Sequence, residues 1–552
     1  MSYIGVDIGT SSVRSYLIDS VGHEFTATKD ITRKAHSKHT SHITQSSAEI
    51  FDAVKNTVLT TISKAGIRHV DGISFTATCS MVVYEVVGDG DEYKPYPCDY
   101  DKKDYKQNII LWMDSRSIAQ SKFINETIDK SELNKVGGSF IPEMGLPKLK
   151  WLSDNKNESV ELIAFELHDW ITWMFTKNGQ LDRKCLESNY KKLRYGSFDG
   201  SFKGIDPKHV EALNISRVQI GSSENMDKVF PVGTPIGKID SQLGIELGLA
   251  DNDTIVAVGC IDCYAGWLST ISNSVPNPIY MIAGTSTCFL FPIKSEASKS
   301  ESIGGVWGPY KLLPDVELYE SGQPATGKLY ECLFNEYETV IQKEVGSSVS
   351  NSQIFSWLER ETSSLCKEYG TSIHFIIKNY FYYGDQFGNR SPFNNSDMST
   401  MIIDGPPFDG LPSLLDRSSK ISLTIRYNLI LEFLSFQTLD LIESFSSSNS
   451  IESIVISGSQ AQNERFSKIL KMVTDRRVFV CDKNDSCGVA KGAADLAAMT
   501  SLSYTGKNAE LREVFVGTDD YAENRPLLVR KQQLNKEMAE FQLKFRNIMG
   551  CT

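Results

Sequence analysis

Positive charge, regularly spaced cysteine and uninterrupted apolar runs are all scarce in this chain, and each shortage excludes a class of protein. Lysine and arginine number 57 against 69 aspartates and glutamates, so the net charge is -12 and the isoelectric point is near 5.3. A repulsive overall field argues against a nucleic-acid surface, so any affinity for phosphate must come from local loops. The composition therefore predicts a small-molecule partner and no nucleic acid.

The 11 cysteines follow no regular spacing, and several of them interrupt apolar runs (Cys79, Cys260, Cys288). This distribution is typical of buried thiols in a reducing cytosol, so we expect no disulfides and a cytoplasmic location. The N-terminus enters a strand directly, without the basic and apolar segments of a signal peptide. The most apolar long helix, from about Leu429 to Phe445, carries several acidic side chains, and we expect no membrane span.

One strand-and-turn device occurs twice in a chain whose 552 residues exceed what one hydrophobic core usually serves. Tyr3 to Ile8 lead into Gly9-Thr10-Ser11, and Pro278 to Ala283 lead into Gly284-Thr285-Ser286. A glycine followed by hydroxyl residues at a strand end forms a tight turn that can bind phosphate. A separation of about 275 residues is too long for a solenoid and indicates two similar domains that share a cleft.

The first copy of this device carries an acid, Asp7, two residues before its glycine. A carboxylate beside a phosphate-binding turn is a usual ligand of Mg²⁺, and capping of the turn is the alternative. Arg14, on the strand that follows, is expected near the phosphates.

Asp262 follows the β-branched strand from Thr254 to Cys260, which is expected to be buried on both faces. The carboxyl ends of such strands are where α/β proteins bind ligands, although a helix N-cap is the alternative for this aspartate. Glu320, near a second strand end, is a further candidate ligand for hydroxyls.

A second polar group, Trp112-Met113-Asp114-Ser115-Arg116, follows the apolar run from Asn108. An aromatic face, an acid and a base at one strand end suit the binding of a polyol, whereas a lone tryptophan would belong to the core.

Apolar spacing predicts the remaining main elements: helices over Gln45–Lys64, Lys148–Ser153, Ile163–Phe175 and Leu423–Phe445, and a strand over Ile73–Val83. A helix of small residues is predicted from Gly488, and it would admit an adenine or another helix.

Taken in order, eight segments resemble the FGGY carbohydrate kinase family, and most closely its D-ribulose kinase branch. They span almost the whole chain: Gly5–Thr10, Phe75–Ser80, Leu111–Arg116, Ile261–Gly266, Ala283–Ser286, Glu320–Gln323, Phe387–Pro392 and Ser457–Ser459. The resemblance implies an α/β fold with two actin/Hsp70-like (ribonuclease H-like) ATPase domains flanking a catalytic cleft. It implies a sugar-binding domain over residues 1–268, a nucleotide-binding domain over 275–505 and a C-terminal helical extension over 506–552.

The resemblance also implies roles for particular residues. Asp262 would be the general base, and Asp7 would hold Mg²⁺. ATP would contact the two turns and a third segment, through Gly9, Thr10, Ser11, Arg14, Gly284, Thr285, Gly458, Ser459 and Asn463. The sugar would contact Trp112, Asp114, Arg116, Lys192, Asp262 and Glu320, with Lys191 the alternative lysine. One departure is Ser459, where many members carry a second glycine.

The expected activity is the ATP-dependent phosphorylation of a ketopentose, D-ribulose to D-ribulose 5-phosphate. The alternatives are L-ribulose, D-xylulose or ribitol as substrate, and a sugar sensor without catalysis, which should have lost Asp262 or Asp7. A chaperone or filament protein of the same fold would give no reason for the polar cluster at Trp112. Self-association as a homodimer stays open, and a hinge is expected between Ser269 and Pro278.

Overall fold

The computed structural model describes most of the chain. Lys191 and Lys192 lie outside the described residues, so the choice between them stays a prediction. In the part that is described, every helix is too short or too polar to cross a bilayer. The described ranges are 1–88, 92–134, 136–176, 211–221, 231–294, 305–313, 316–406, 409–445, 451–481, 488–501 and 509–549.

The strands in these ranges form three main sheets and one small two-stranded sheet. In chain order they are β1 Tyr3–Ile8, β2 Ser12–Ile18, β3 Glu24–Asp30, β4 Lys34–Ala35, β5 Ile43–Gln45, β6 Gly72–Ala77, β7 Met81–Val87, β8 Glu92–Pro95, β9 Ile109–Ile110, β10 Glu161–Glu166, β11 Val218–Ile220, β12 Pro235–Lys238, β13 Ile255–Ile261, β14 Pro278–Ala283, β15 Thr287–Lys294, β16 Trp307–Leu313, β17 Val316–Gln323, β18 Phe381–Tyr383, β19 Met401–Ile403, β20 Ser453–Gly458, β21 Arg477–Cys481 and β22 Leu511–Glu513.

The helices in the same ranges cover these sheets and connect them. In chain order they are α1 Ser47–Ala65, α2 Ile118–Thr127, α3 Lys130–Leu133, α4 Gly145–Asn155, α5 Leu167–Thr176, α6 Ser241–Glu246, α7 Asp262–Leu268, α8 Gly327–Glu336, α9 Glu338–Glu344, α10 Asn351–Tyr369, α11 Ile373–Ile376, α12 Lys420–Ser444, α13 Glu464–Thr474, α14 Gly488–Ala498 and α15 Thr518–Ile548.

Two of the three main sheets repeat one arrangement. The first contains the strand order β3-β2-β1-β6-β13, and the second contains β17-β15-β14-β20-β21. In each set the first three strands are antiparallel neighbours, and the last two run parallel to the strand beside them. The duplication predicted from two Gly-Thr-Ser turns is therefore a duplication of sheet topology, and the predicted α/β fold is confirmed.

The remaining main sheet corrects two predicted elements. Residues 163–175 were expected to form one helix, but β10 ends at Glu166 and α5 begins at Leu167. Likewise, residues 73–83 form β6 and β7, which belong to different sheets and are separated by residues 78–80. In both stretches almost every residue is buried, so the apolar pattern has no period that could distinguish a strand from a helix or locate a break.

Helix α14 comes late in the chain but packs against the first repeated sheet and α7. A Cβ atom on Gly5 would lie 2.0 Å from the carbonyl oxygen of Ala490, and one on Gly492 would lie 1.8 Å from that of Ala265. Only glycine permits such close backbone contact. The small residues of α14 therefore serve the packing of a helix against a strand and a second helix.

The C-terminal segment, predicted as an extension over residues 506–552, is integrated into the second half. Strand β22 pairs with β21 and forms the edge of the sheet, and α15 packs on α12 and α13. Its Leu528 and Ala539 belong to the main hydrophobic core, while the buried Lys531 contacts Glu432 of α12. A buried lysine is tolerated because its charge is paired. The charged composition of α15 therefore does not mean that the helix is a separate element on the surface.

Candidate active site

A cavity of about 840 Å³ is lined from both repeated sheets. The Gly9-Thr10-Ser11 turn after β1 and the Gly284-Thr285-Ser286 turn after β14 both contribute to its wall. Asp7, Asp262 and Glu320 line the same cavity. The structure therefore brings together the two predicted phosphate turns and the three acids on which the sequence-based hypothesis rests.

The first turn is closed by a hydrogen bond from the N–H of Gly9 to the carbonyl oxygen of Ser12 at 3.0 Å. The indole N–H of Trp112 donates to the Thr10 hydroxyl at 3.0 Å, and the Gln45 amide donates to the Thr10 carbonyl oxygen at 2.9 Å. These two contacts hold the turn in place through the hydroxyl and the carbonyl oxygen of Thr10. They also couple Trp112, predicted to bind sugar, to Thr10, predicted to bind phosphate.

The second turn is supported from behind by the start of α8. The N–H of Thr326 donates to the Thr285 carbonyl oxygen at 2.9 Å, and that of Gly327 donates to the Gly284 carbonyl oxygen at 3.1 Å. Gly458, at the end of the neighbouring β20, has a φ of 80°. Ser459 follows it in the cavity wall, and its hydroxyl donates to the Ala283 carbonyl oxygen at 3.3 Å.

Asp7 and Arg14 face each other across the β1–β2 hairpin. The guanidinium Nη1 of Arg14 lies 3.3 Å from Oδ2 of Asp7. Burial, followed by the negative charge of Asp262, raises the pKa of Asp7 to about 7, although Arg14 opposes the shift. Asp262 is therefore close enough to Asp7 to affect its charge.

Asp262 is the first residue of α7, directly after β13. Its Oδ1 accepts a hydrogen bond from the N–H of Cys263 at 2.8 Å, which orients the carboxylate at the helix start. Burial raises the pKa of Asp262 to about 6. Such a carboxylate is mostly ionised at neutral pH yet more basic than an exposed one, which suits a proton acceptor.

Trp112 and Glu320, two of the residues predicted to bind sugar, also line the cavity. The Tyr264 hydroxyl donates to Oε2 of Glu320 at 2.6 Å, and burial raises the pKa of Glu320 to about 7. The guanidinium carbon of Arg390 lies 5.6 Å from the centre of the Trp112 ring. An aromatic face between a carboxyl and a guanidinium can hold a small molecule rich in hydroxyls.

Lys148 fixes the position of Trp112 from the protein side. Its buried ammonium group donates to the carbonyl oxygens of Leu111 and Trp112, each at 2.9 Å. Burial lowers the pKa of Lys148. The ammonium group thus holds the backbone that follows the short strand β9, and it helps to fix the indole of Trp112 relative to Thr10.

Asp114 and Arg116 differ from the prediction, because they do not line the cavity described above. Both oxygens of Asp114 accept hydrogen bonds from the Arg116 guanidinium, at 2.8 and 2.7 Å, and both side chains are fully buried. Asp114 also accepts from the N–H of Ile43 at 2.6 Å, and Arg116 donates to the Cys98 carbonyl oxygen at 2.8 Å. Their charges satisfy each other and the backbone, so the pair acts as a support beneath the Trp112 segment.

Asn463, predicted to contact ATP, also forms local hydrogen bonds and does not line the cavity. Its Oδ1 accepts from the N–H of Phe466 at 3.0 Å and caps α13, while its amide donates to the Tyr427 hydroxyl at 2.9 Å. Asn463 is absent from the described cavity wall, although Gln462 and Ser459 belong to it. Lys192, predicted to bind sugar, lies outside the described residues.

Arg390 and Glu143 line the cavity but were given no role from the sequence. Arg390 belongs to the second half of the chain and forms an ion pair with Glu143 of the first half. The available signal was their placement, since each is a charged residue within an irregular segment rich in glycine and proline. Such loops carry binding residues more often than regular elements do.

Several side chains that carry oxygen atoms share the cavity wall with Asp7. Its carboxylate is almost fully buried, and the hydroxyls of Thr10, Ser11 and Thr285 line the same cavity. Carboxylate and hydroxyl oxygens together with water are the ligands that Mg²⁺ prefers. The donor set therefore fits the divalent cation predicted from the sequence.

Comparisons with known proteins agree with this geometry. Residues 2–268 match the N-terminal domain of the FGGY family of carbohydrate kinases, and residues 279–501 match its C-terminal domain. Protein MPA43 of Saccharomyces cerevisiae is 29% identical over 99% of this chain and 97% of its own length. D-ribulokinase YDR109C of the same yeast is 31% identical over 92% of this chain and 73% of its own length.

Among solved structures, gluconate kinase from Lactobacillus acidophilus aligns with a TM-score of 0.70 at 16% identity, over 99% of both chains. This likeness concerns the fold, whereas the matches to the two domains cover most of the sequence. A duplicated sheet, two Gly-Thr-Ser turns around one cavity, and matches to both domains lead to the same conclusion. The chain belongs to the FGGY family of carbohydrate kinases.

Proposed function

We propose that the protein transfers the terminal phosphoryl group of ATP to a ketopentose, with D-ribulose giving D-ribulose 5-phosphate. One observation carries the proposal: Asp262, a buried carboxylate of raised pKa, lines a single cavity with Trp112 and Glu320 and with both phosphate turns. The likeness to a yeast D-ribulokinase supports D-ribulose among the ketopentoses.

On the sugar side, Asp262 accepts the proton of the attacking hydroxyl as the new phosphorus–oxygen bond forms. The bond between the transferred phosphorus and the oxygen of ADP breaks in the same step, and ADP leaves. A positioned base of this kind contributes about 10²- to 10⁴-fold in rate. Burial benefits the step, because a pKa near 6 makes the carboxylate a better acceptor at neutral pH while leaving most of it ionised.

On the phosphate side, the segments Gly9–Ser11 and Gly284–Ser286 provide hydroxyls and their remaining backbone N–H groups, because the N–H groups of Gly9 and Gly284 already donate within the turns. Arg14 adds one positive charge next to Asp7. Asp7 would hold Mg²⁺, which offsets the charge of the transferred phosphoryl group. Gly458 and Ser459, beside the second turn, would contact the nucleoside.

Trp112 connects these two sides. Its ring faces the proposed sugar region, and its indole N–H donates to the Thr10 hydroxyl in the first phosphate turn. A sugar that packs on the ring is therefore held at a constant distance from the turn. Correct relative placement of two reactants is itself a large part of catalysis.

A substrate panel tests the proposal. ADP release would be measured with D-ribulose, L-ribulose, D-xylulose, ribitol and glycerol, each over a range of concentrations at fixed ATP and Mg²⁺. We expect D-ribulose to give the highest kcat/KM, and Asp262→Asn protein to release ADP about 10²- to 10⁴-fold more slowly. A higher kcat/KM for ribitol or glycerol would mean that the substrate is a polyol and not a ketopentose. No turnover with any sugar, together with retained sugar binding, would favour a sensor.

A further inference from the structure

Two thiols and a carboxylate converge at the sugar side of the cavity. Cys263 follows Asp262 in α7, Cys288 lies on β15, and Glu320 lies on the adjacent strand β17. Both Sγ atoms and one carboxylate oxygen lie within 4.8 Å of one another, and all three residues line the cavity. Cys260 completes a Cys-x-x-Cys spacing with Cys263, but it is a core residue of β13 outside this group.

This donor set suits a thiophilic cation. Zn²⁺ binds thiolate sulfur at about 2.3 Å and carboxylate oxygen at about 2.0–2.2 Å, in a tetrahedron. Those bond lengths place neighbouring ligand atoms roughly 3.5–4 Å apart, so small side-chain rotations from the observed separations suffice. Three elements of the fold supply three corners, and the fourth corner faces the cavity, where water or a hydroxyl can complete it.

The surroundings of the group favour a fixed ligand set. The Tyr264 hydroxyl donates to Oε2 of Glu320 at 2.6 Å and so orients the carboxylate, as outer hydrogen bonds do in protein metal sites. Arg390 lines the same region, and two thiolates, one carboxylate and one divalent cation carry a net charge of one minus. A nearby guanidinium offsets that residual charge.

We propose that Cys263, Cys288 and Glu320 form a binding site for Zn²⁺ or a similar thiophilic divalent cation, and that the bound ion closes the sugar pocket. Without the ion both thiols hold their protons: burial raises the pKa of the Cys263 thiol well above its usual range, and the pKa of the Cys288 thiol is also raised, although its hydrogen bond with Cys263 opposes the effect of burial. Binding forms two metal–sulfur bonds and releases the two thiol protons to solvent, with no change of oxidation state.

The inhibitory half of this inference rests on the proposed function. Glu320 is the carboxylate proposed to bind a sugar hydroxyl, and Cys263 adjoins the proposed base. An ion on these ligands therefore removes one sugar contact and occupies space beside Asp262. Metal and sugar should compete, whereas binding of the metal by itself requires no kinase activity.

Cadmium is the probe for the site, because a cadmium–thiolate bond gives an ultraviolet charge-transfer band. The full-length protein would be titrated with Cd²⁺ in the presence of a non-thiol reductant, which prevents disulfide formation. We expect one Cd²⁺ per chain, loss of the band in Cys263→Ser and Cys288→Ser proteins, and a weaker affinity in Glu320→Gln. Cys366→Ser is the matched control, since Cys366 is a partly buried cysteine of α10 outside the cavity.

Two results would overturn the site: no band in the parent protein, or an unchanged band in both Cys263→Ser and Cys288→Ser. Circular dichroism of each variant shows whether a lost band reflects misfolding. The Glu320→Gln protein keeps both thiols and supplies an independent test through affinity.

A competition arm separates the two halves of the inference. D-Ribulose should lower the apparent affinity for Cd²⁺, and Zn²⁺ should raise the KM for D-ribulose in the parent but not in Cys288→Ser. If D-ribulose leaves the Cd²⁺ titration unchanged, the metal does not close the sugar pocket, although the site stands. A protein that phosphorylates no sugar yet shows the cadmium band would refute the proposed function alone.

Discussion

The hairpins β1–β2 and β14–β15 share their topology and their Gly-Thr-Ser turn, yet they differ two residues before the glycine. The first has Asp7 at that position and the second has Ile282. Across the hairpin, Asp7 pairs in register with Arg14, whereas Ile282 pairs with Cys288. One copy of the same device thus holds a buried aspartate paired with a partly exposed arginine, and the other has no ion pair at that position.

This difference teaches that the fold does not require the charges. The β14–β15 hairpin forms the same sheet position with an isoleucine, and burial makes ionisation of Asp7 harder, as its pKa near 7 shows. A buried acid that the topology can do without is expected at a functional site. We therefore propose that the first repeat binds the cation and accepts the proton, and that the second makes uncharged contacts with the nucleotide.

The largest expected effect comes from Asp262, the proposed base at the end of β13. Asp262→Asn should lower kcat by about 10²- to 10⁴-fold, because the amide keeps the shape of the side chain and cannot accept the proton. Sugar and nucleotide affinities, measured by calorimetry, should stay nearly unchanged. Asp253→Asn, at an exposed carboxylate paired with Lys238, is the control and should leave kcat unaltered. Turnover of Asp262→Asn within tenfold of the parent would assign the base elsewhere.

The next effect compares the two hairpins directly. Asp7→Asn should lower kcat by roughly 10²-fold, the usual cost of one electrostatic contact to the transition state, and should raise the Mg²⁺ concentration needed for half-maximal rate. Ile282→Val, at the corresponding position of the second hairpin, should change kcat by less than twofold. Steady-state rates over a Mg²⁺ series measure both. Equal losses in the two variants would contradict the assignment of cation binding to the first hairpin.

A smaller effect is expected from pH. Burial raises the pKa of Asp262 to about 6, and only the ionised carboxylate accepts a proton. The rate should therefore fall as the pH drops through 6, by about tenfold per unit at the lower end. Initial rates at saturating sugar and ATP are measured between pH 5 and 8, a range that includes the pKa of Asp262. A profile that stays flat down to pH 5 would exclude this carboxylate as the base.

Two glycines beside the second turn allow a matched test of stability. A Cβ atom on Gly458, whose φ is 80°, would lie 2.4 Å from the carbonyl oxygen of Ala283, whereas the nearest atom to one on Gly284 is 4.0 Å away. Gly458→Ala should cost about 1–3 kcal/mol of stability, and Gly284→Ala should cost less than about 1 kcal/mol. The urea midpoint of the second half would show the difference. Equal midpoints would mean that β20 moves away from β14 without cost.

The smallest expected change is in overall dimensions. The two halves already contact each other through the Arg390–Glu143 ion pair and a hydrogen bond from the N–H of Gly305 to the Gly137 carbonyl oxygen at 2.9 Å. A hinge at residues 269–278 should therefore produce only a slight, stepwise fall in radius of gyration. Small-angle scattering would be recorded without ligand, with D-ribulose, and with D-ribulose plus a non-hydrolysable ATP analogue. Three identical profiles would mean that the cleft is closed from the start.

The sequence by itself determined the repeated strands, their turns and the α/β class, because each depends on local pattern. β-Branched runs that end in Gly-Thr-Ser form strands and tight turns wherever they occur. The placement of Asp7 and Asp262 at one edge also follows from local position, since β1, β6 and β13 run parallel and the carboxyl ends of parallel strands share an edge. Glu320 lies on an antiparallel strand of the other repeated sheet, so only the packing of the two sheets brings it into the same cavity.

Only the tertiary structure decided which polar side chains face the ligand. Asp114 and Arg116 sit at a strand end as Trp112 does, but they bind each other and the backbone of Ile43 and Cys98. Arg390 reaches the Trp112 ring from the other half of the chain. A charged residue is satisfied by the opposite group that the fold brings nearest. For Asp114 and Arg116 that group is two residues away, whereas for Arg390 it is Glu143 of the other half, which only the packing of the two halves supplies.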